Sequence, residues 1–132
     1  MQLAGGRIVL ALDALLFAGF GALYWIIPES MAAKVGITMV NTGGIIDVQG
    51  LYGGLEVGLG IFLAYCAANV DRTRLGLVAG ALVLSSIALS RIVAMARFGV
   101  PDVSVATLVA LDVVGAILNL AFALRYGRIS RR

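Results

Sequence analysis

Histidine is absent from this 132-residue chain, and cysteine occurs once, as Cys66. A lone cysteine cannot close a disulfide within its own chain, and without histidine the chain has no zinc or haem ligand set of the ordinary kind. No cofactor is therefore expected. Nor does the chain carry a phosphate-binding glycine loop or a cysteine with a neighbouring base, so the usual constellations of nucleophilic, metal-assisted and phosphoryl-transfer catalysis are missing. Acid–base work by Asp13, Glu56 or Asp112 is the enzymatic route left open, and the chain reads as non-enzymatic. Cys66, close to a helix end, is expected to pack as a small apolar side chain.

Charge is scarce as well, at 13% of residues, while 61% are hydrophobic and the mean hydropathy is +1.05. A soluble domain has an apolar share of roughly 45–50%. About 20 apolar residues cross a hydrocarbon core of about 30 Å as a helix, so four spans use up most of the chain and leave no room for a second domain. The apolar runs place these spans at about 8–27, 48–68, 75–96 and 103–124. The expected fold is an all-α integral membrane four-helix bundle, its consecutive helices made antiparallel by the short breakers 69–74 and 97–102. The first run follows Arg7, but it is too long for a signal peptide and no clear small-residue cleavage site follows, so it is read as retained.

Between the first two spans, Pro28 to Asp47 carries Met31, Ala32, Val35 and Ile37 among Glu29 and Lys34, followed by Asn41-Thr42-Gly43-Gly44. This pattern predicts a short interfacial helix and then a loop. Tyr24 and Trp25, just before Pro28, read as interfacial aromatics. Arg7, Arg72, Arg74, Arg125, Arg128, Arg131 and Arg132 fall on one side of a four-span topology, with Lys34 and Arg97 on the other. The excess predicts both termini on the cytoplasmic side of a bacterial inner membrane. Topology and anionic lipid headgroups account for the net charge of +3, and no groove-reading motif points to nucleic acid.

Four ionisable residues interrupt the apolar runs, one in each: Asp13, Glu56, Arg91 and Asp112. Each costs about 2.5–3.5 kcal/mol near the middle of a membrane helix, so together they must face an interior, a partner or water. Gly50, Gly54 and Gly58 recur every four residues and form a helix-packing face, with Asp47 at its outer end. Gln49, Gly53, Glu56 and Gly60 form a second stripe, turned away from the first, so this helix is expected to contact neighbours on two sides. In the third span Gly76, Gly80, Ala88, Arg91 and Ala94 share a broad face, as Asp112, Gly115, Ala116, Asn119 and Ala123 do in the fourth. Small residues mark helix contacts in lipid, so these polar groups point toward other helices.

At about 1.5 Å per residue, Glu56 and Asp112 lie roughly 12 Å below the outer boundary, with Arg91 somewhat shallower. The planar fork of Arg91 can then bridge both carboxylates. Asp13 lies apart, roughly 9 Å from the cytoplasmic end of its span. One arginine cannot neutralise three carboxylates, and a carboxylate without a cation in low dielectric favours its neutral form, which makes Asp13 or one of the pair a proton-accepting candidate. Phe17, Phe20 and Tyr24 fall on nearly the same face as Asp13, an aromatic wall suited to a flat apolar ligand.

The run from Asp47 through Gln49, Tyr52, Gly53, Gly54 and Glu56 to Gly60 resembles the signature of a family of small bacterial four-span proteins of unknown function, related to the DoxX-like superfamily. The resemblance extends to Pro28, Gly36, Ser90-Arg91 and Asp112, and so covers most of the chain. It implies an inner-membrane four-helix bundle, some DoxX-like relatives being associated with quinone-linked oxidation. The chain departs from the pattern at Gln49, where such sequences often carry a basic residue, leaving Asp47 and Glu56 with fewer cationic partners.

Two functions are expected to compete. One is an inner-membrane module whose outer-half pocket, formed by Glu56, Arg91, Asp112, Asp47, Gln49, Tyr52 and Asn119, binds a quinone-like or lipid-like amphiphile or docks a membrane partner. The other is an oligomeric proton-linked transporter or channel, with Asp13 inward, Glu56 and Asp112 outward, and copies assembled through the Gly50, Gly54, Gly58 face.

Overall fold

A computed structural model of the chain describes residues 2–99 and 103–129, which form helices and short connections with no strand among them. The elements are α1 (Gln2–Ile26), α2 (Pro28–Lys34), α3 (Thr42–Val48), a π-helical segment (Gln49–Gly54), α4 (Leu55–Ala67), α5 (Val70–Phe98) and α6 (Val103–Ile129). Helical dihedrals continue through both ends of the π segment, so Thr42–Ala67 is a single rod. With Ala4–Ile26, Val70–Phe98 and Val105–Tyr126 it makes four helices long and apolar enough to cross a membrane. Arg131, Arg132 and residues 100–102 of the second breaker lie outside the described residues.

Two expected boundaries move, each because an asparagine caps a helix. Asn41 is extended, and its side-chain oxygen accepts from the Gly44 N–H at 3.1 Å, so the anticipated loop at 41–44 instead starts the second rod six residues before Val48. Asn69 accepts from the Asp71 N–H at 2.9 Å, and Asp71 in the first turn faces the positive end of the helix dipole. The third rod therefore begins at Val70, not Leu75. Glycines supply the stops: Gly36 and Gly99 adopt φ of +77° and +86°, and the Gly99 N–H returns to the Met95 carbonyl at 2.9 Å.

Packing is most extensive between α1 and α4 and between α5 and α6, giving two antiparallel hairpins. In the first, the backbones nearly touch. A Cβ on Gly60 would lie 2.7 Å from the Ala18 nitrogen, and one on Gly21 would lie 2.7 Å from the Val57 nitrogen. Ala14, Ala18 and Gly21 thus form the surface that receives the Gly53–Gly60 stripe, as small residues do where membrane helices approach closely. Arg7 Nε donates to the Ala67 carbonyl at 2.8 Å and closes the C-terminal end of α4.

The hairpins join at the end where α1 begins and α6 finishes, here the proximal end. Leu10, Leu63, Cys66 and Leu77 are fully buried there, with Ala123 and Tyr126 beside them. Gly5 lies against Phe122, and Gly6 against Leu77 and Tyr126. At the opposite, distal end a smaller core gathers Tyr24, Met31, Ala32 and Val48, so α2 folds back onto the first hairpin. Past Ala88 on α5, and before Ala116 on α6, no described residue is buried. Among the described residues, the two hairpins share no fully buried core at that end.

The exterior carries Leu12, Leu15, Leu82, Leu89, Ile117 and Leu120, while Asp13, Thr73 and Asn119 are buried polar groups. Such an inverted surface suits lipid rather than water as solvent. Gly50, Gly54 and Gly58 do not pack as expected within the chain: no neighbouring helix comes within 4 Å of the positions their Cβ atoms would take. The π segment and α4 meet α1 through Gly53 and Gly60, and the other glycine face stays open. Gly58→Ala is accordingly expected to leave stability unchanged or to raise it by about 0.5–1 kcal/mol from helix propensity. Gly60→Ala, which forces two backbones apart, is expected to cost about 1–3 kcal/mol. Denaturation midpoints in detergent micelles test the pair, and equal midpoints would be inconsistent with this seam.

Candidate functional site

Polar groups occupy two layers of the bundle. In the first, Asn119 on α6 donates its side-chain amide to Asp13 Oδ2 on α1 at 2.7 Å and to the Gly115 carbonyl one turn back at 2.9 Å. Asn119 is wholly buried and Asp13 nearly so. Gly80 on α5 makes the room, because a Cβ there would lie 2.7 Å from Asn119 Oδ1. That oxygen has no protein donor, so the amide is committed through its nitrogen alone.

The second layer lies toward the distal end of the bundle. Arg91 Nη1 on α5 donates to Asp112 Oδ2 on α6 in a partly buried ion pair. Glu56, on α4, feels the Arg91 charge but forms no ion pair with it, and its Oε2 is buried without a hydrogen-bond partner. Tyr24 of α1 and Tyr52 of the π segment stack beside it, ring centroids 5.2 Å apart and 30° from coplanar. Tyr24 is buried, whereas Tyr52 keeps 39% of its surface open. All four rods thus contribute to this layer.

Several expectations change. Arg91 pairs with Asp112 alone and does not bridge to Glu56, because α5 and α6 pack along one another while α4 and α6 occupy opposite corners. Asn119 leaves the outer group for Asp13. It lies seven residues beyond Asp112, about 10 Å farther along the helix, a displacement already visible in the rise per residue. The three aromatics expected beside Asp13 take different surroundings: Phe17 borders the proximal core, Phe20 is exposed and Tyr24 belongs to the distal layer. Tyr24 is accordingly buried in the distal core. Gln49 donates to the Trp25 carbonyl at 3.0 Å, tying the end of α1 to the π segment, and Asp47 is exposed without an ion-pair partner among the described residues.

Two contacts escaped the sequence reading. Arg7 capping α4 had no signal, since its partner is a backbone carbonyl 60 residues away. The Ala14, Ala18, Gly21 seam had one, small residues spaced four and three apart. A shallow cleft of about 430 Å³ also lies at the proximal end between Arg7, Ile8 and Ala11 of α1 and Ala64 and Ala68, and it holds none of the buried ionisable groups.

Fold and site together define a small helical membrane protein of the multi-pass class, with two polar layers inside an apolar shell. Residues 6–123 match the model of the family described as a domain of unknown function, DUF4345, and the chain belongs to that family. The match takes in both layers and agrees with the unknown-function family anticipated from the Asp47–Gly60 run. No curated protein and no solved structure matches the chain.

The inner layer makes a testable pair. Asn119→Leu leaves the Asp13 carboxyl buried without its donor and is expected to cost about 1–3 kcal/mol. Combining it with Asp13→Leu is expected to recover about 1–2 kcal/mol of coupling, the range for a hydrogen bond between membrane helices. A double-mutant cycle on unfolding in micelles measures it, and strictly additive costs would show that the two side chains do not interact.

Proposed function

We propose that this protein is a non-enzymatic membrane module that binds a small amphiphile, quinone-like or lipid-like, and that the ligand enters a cleft between the two hairpins at the distal layer. Glu56 carries the reading. Its Oε2 is removed from solvent and lacks a protein partner, at a level where the described residues of α5 and α6 are at most half-buried. A buried carboxylate oxygen without a donor is expensive to maintain, and a group required only for packing is better satisfied by its neighbours. Arg91, 35% exposed, and Tyr52, 39% exposed, belong to the same layer. One end of the cleft is therefore polar and its flanks are aliphatic, the two-part lining that an amphiphile requires.

The reading includes a placement. Arg7, Arg72, Arg74 and Arg125 lie toward the proximal end against Lys34 and Arg97 at the distal end, which supports cytoplasmic termini in a bacterial inner membrane and a cleft opening to the outer half. The buried Met31 and Ala32 and exposed Glu29 and Lys34 of α2 support its lying at the interface. The open Gly50, Gly54, Gly58 face supports contact between copies in a homo-oligomer. The Asp47–Gly60 run supports kinship with DoxX-like proteins. An oligomeric proton-linked transporter is less well supported, because Asp13, the inward acid of such a path, is enclosed between α1 and α6 instead of facing a channel.

Replacing Arg91 alone would strand Asp112, so the test removes both as Arg91→Leu with Asp112→Leu. The double variant is expected to unfold cooperatively in micelles and to bind decyl-benzoquinone and a fluorescent lysophospholipid about tenfold more weakly or worse, the loss of one charged contact. Binding equal to the parent's would assign the pair to holding α5 against α6 and would remove the cleft as a site.

A further inference from the structure

We infer that the proximal cleft between α1 and α4 receives one anionic phospholipid, its phosphate held by Arg7 and its acyl chain laid along an alanine-lined groove. This site lies at the opposite end of the bundle from the distal layer and is independent of the reading above.

Shape comes first. The cleft holds about 430 Å³, within the range of roughly 300–1,000 Å³ typical of small-ligand sites. Ala4, Ile8 and Ala11 flank Arg7 along one face of α1, and Ala64 and Ala68 lie on the rod opposite. Their short side chains keep the groove open. It ends inward at the seam where the backbones meet, a Cβ on Gly60 lying 2.9 Å from the Ala14 carbonyl oxygen. Leu15 and Ile61, both exposed, continue the same two helix faces past that seam. An acyl chain that starts in the groove therefore has an apolar track toward the middle of the bilayer.

Charge complementarity names the head group. Arg7 Nε donates to the Ala67 carbonyl at 2.8 Å, which fixes the guanidinium at the wall of the cleft. A guanidinium carries five N–H donors, and that bond uses one. Among the described residues no carboxylate pairs with Arg7, and its terminal nitrogens have no acceptor. A phosphate accepts from such a planar fork through two oxygens at once. Arg72, Arg74 and Arg125 lie at the same end, and apart from the enclosed Asp13 the one described acid there is Asp71. Arg72 stands 4.0 Å over the ring of Tyr65, the neighbour of Ala64 in sequence. A zwitterionic head group would bring its own cation among these arginines, whereas a net-negative one is matched by them. Depth agrees as well. Ala67 is the last residue of α4, so the phosphate stands where the rod ends and the groove runs inward from it.

The test uses the purified full chain in uncharged maltoside micelles. Phosphatidylglycerol is the anionic probe, phosphatidylcholine with the same chains the zwitterionic control, and glycerol 3-phosphate a head group without chains. Binding is read as lipid retained in native mass spectrometry and as the rise in melting temperature of each variant over its own ligand-free value. The parent is expected to hold one phosphatidylglycerol in preference to either control. Arg7→Gln is expected to weaken that lipid about tenfold or more, the loss of a charged contact. Because this change also removes the cap on α4, a second variant leaves Arg7 in place: Ala64→Phe, at an exposed position, fills the groove and is expected to weaken the lipid several-fold. Arg74→Gln, exposed and outside the cleft, and the double variant Arg91→Leu with Asp112→Leu are expected to bind phosphatidylglycerol as the parent does. Equal binding by the parent and either Arg7→Gln or Ala64→Phe overturns the inference. So does an equal loss in Arg74→Gln, which would reduce the site to a diffuse basic surface, and so does a loss confined to the distal double variant, which would move the lipid to the other end. Glycerol 3-phosphate held as tightly as phosphatidylglycerol would leave an anion site without a lipid. An oligomer that dissociates in Ala64→Phe while the lipid stays bound would give the groove to a second copy of the chain.

Discussion

Asp13 on α1 and Asn119 on α6 tie one helix hairpin to the other at the level where both are fully enclosed, and the arrangement of the rest follows from that bond. In lipid there is no hydrophobic force to press helices together, so a polar contact between them and the small residues around it set where they meet. Gly80 clears the space that Asn119 fills, and Gly5 and Gly6 let Phe122 and Tyr126 close over α1 below it. Joined at this level and toward the proximal end, the hairpins share no fully buried core among the described residues toward the other. Glu56 is left unpaired there because α4 belongs to one hairpin while Arg91, the nearby cation, is taken by Asp112 within the other.

Much of this was legible in the residues. Four spans, the antiparallel order and the four interrupting ionisable groups all follow from the hydropathy pattern. So does the stripe Gln49, Gly53, Glu56, Gly60, of which Gln49, Gly53 and Gly60 meet α1 although the π segment carries the first two. Pairing was harder to read. Rise along a helix gives depth and not azimuth, so Glu56 and Asp112 look equally available to Arg91 until it is known that α4 and α6 stand at opposite corners. The Asn119 partnership was within reach of the same arithmetic, since it lies deeper than Asp112 and at the level of Asp13. Helix starts were misplaced where asparagine acts as a cap: beside glycine, Asn41 reads as a turn by composition and as an N-cap by its hydrogen bond.

The π segment bears on why the glycine-rich run was read as two equal packing faces. Strict α-periodicity assigns Gly50, Gly54 and Gly58 to one contact and Gly53 and Gly60 to another. The wider turn at Gln49–Gly54 helps seat Gln49 on the Trp25 carbonyl and Gly53 under the Trp25 ring, and the spine of the other three glycines is left uncovered. A small-residue repeat therefore identifies a helix that can be approached closely, not the side from which its own chain approaches it.

The division of polar contacts between the hairpins has a consequence for how the protein is made. Arg91 and Asp112 belong to the same hairpin, so α5 with α6 can enter the bilayer with that ion pair already formed, and Gln49 ties the second rod to α1 within the other hairpin. Asp13 and Asn119 belong to different hairpins and meet only when the two units associate laterally. Insertion and assembly are thereby separable stages, and the polar pair at the centre of the bundle is satisfied last, at the moment the second half of the chain finds the first.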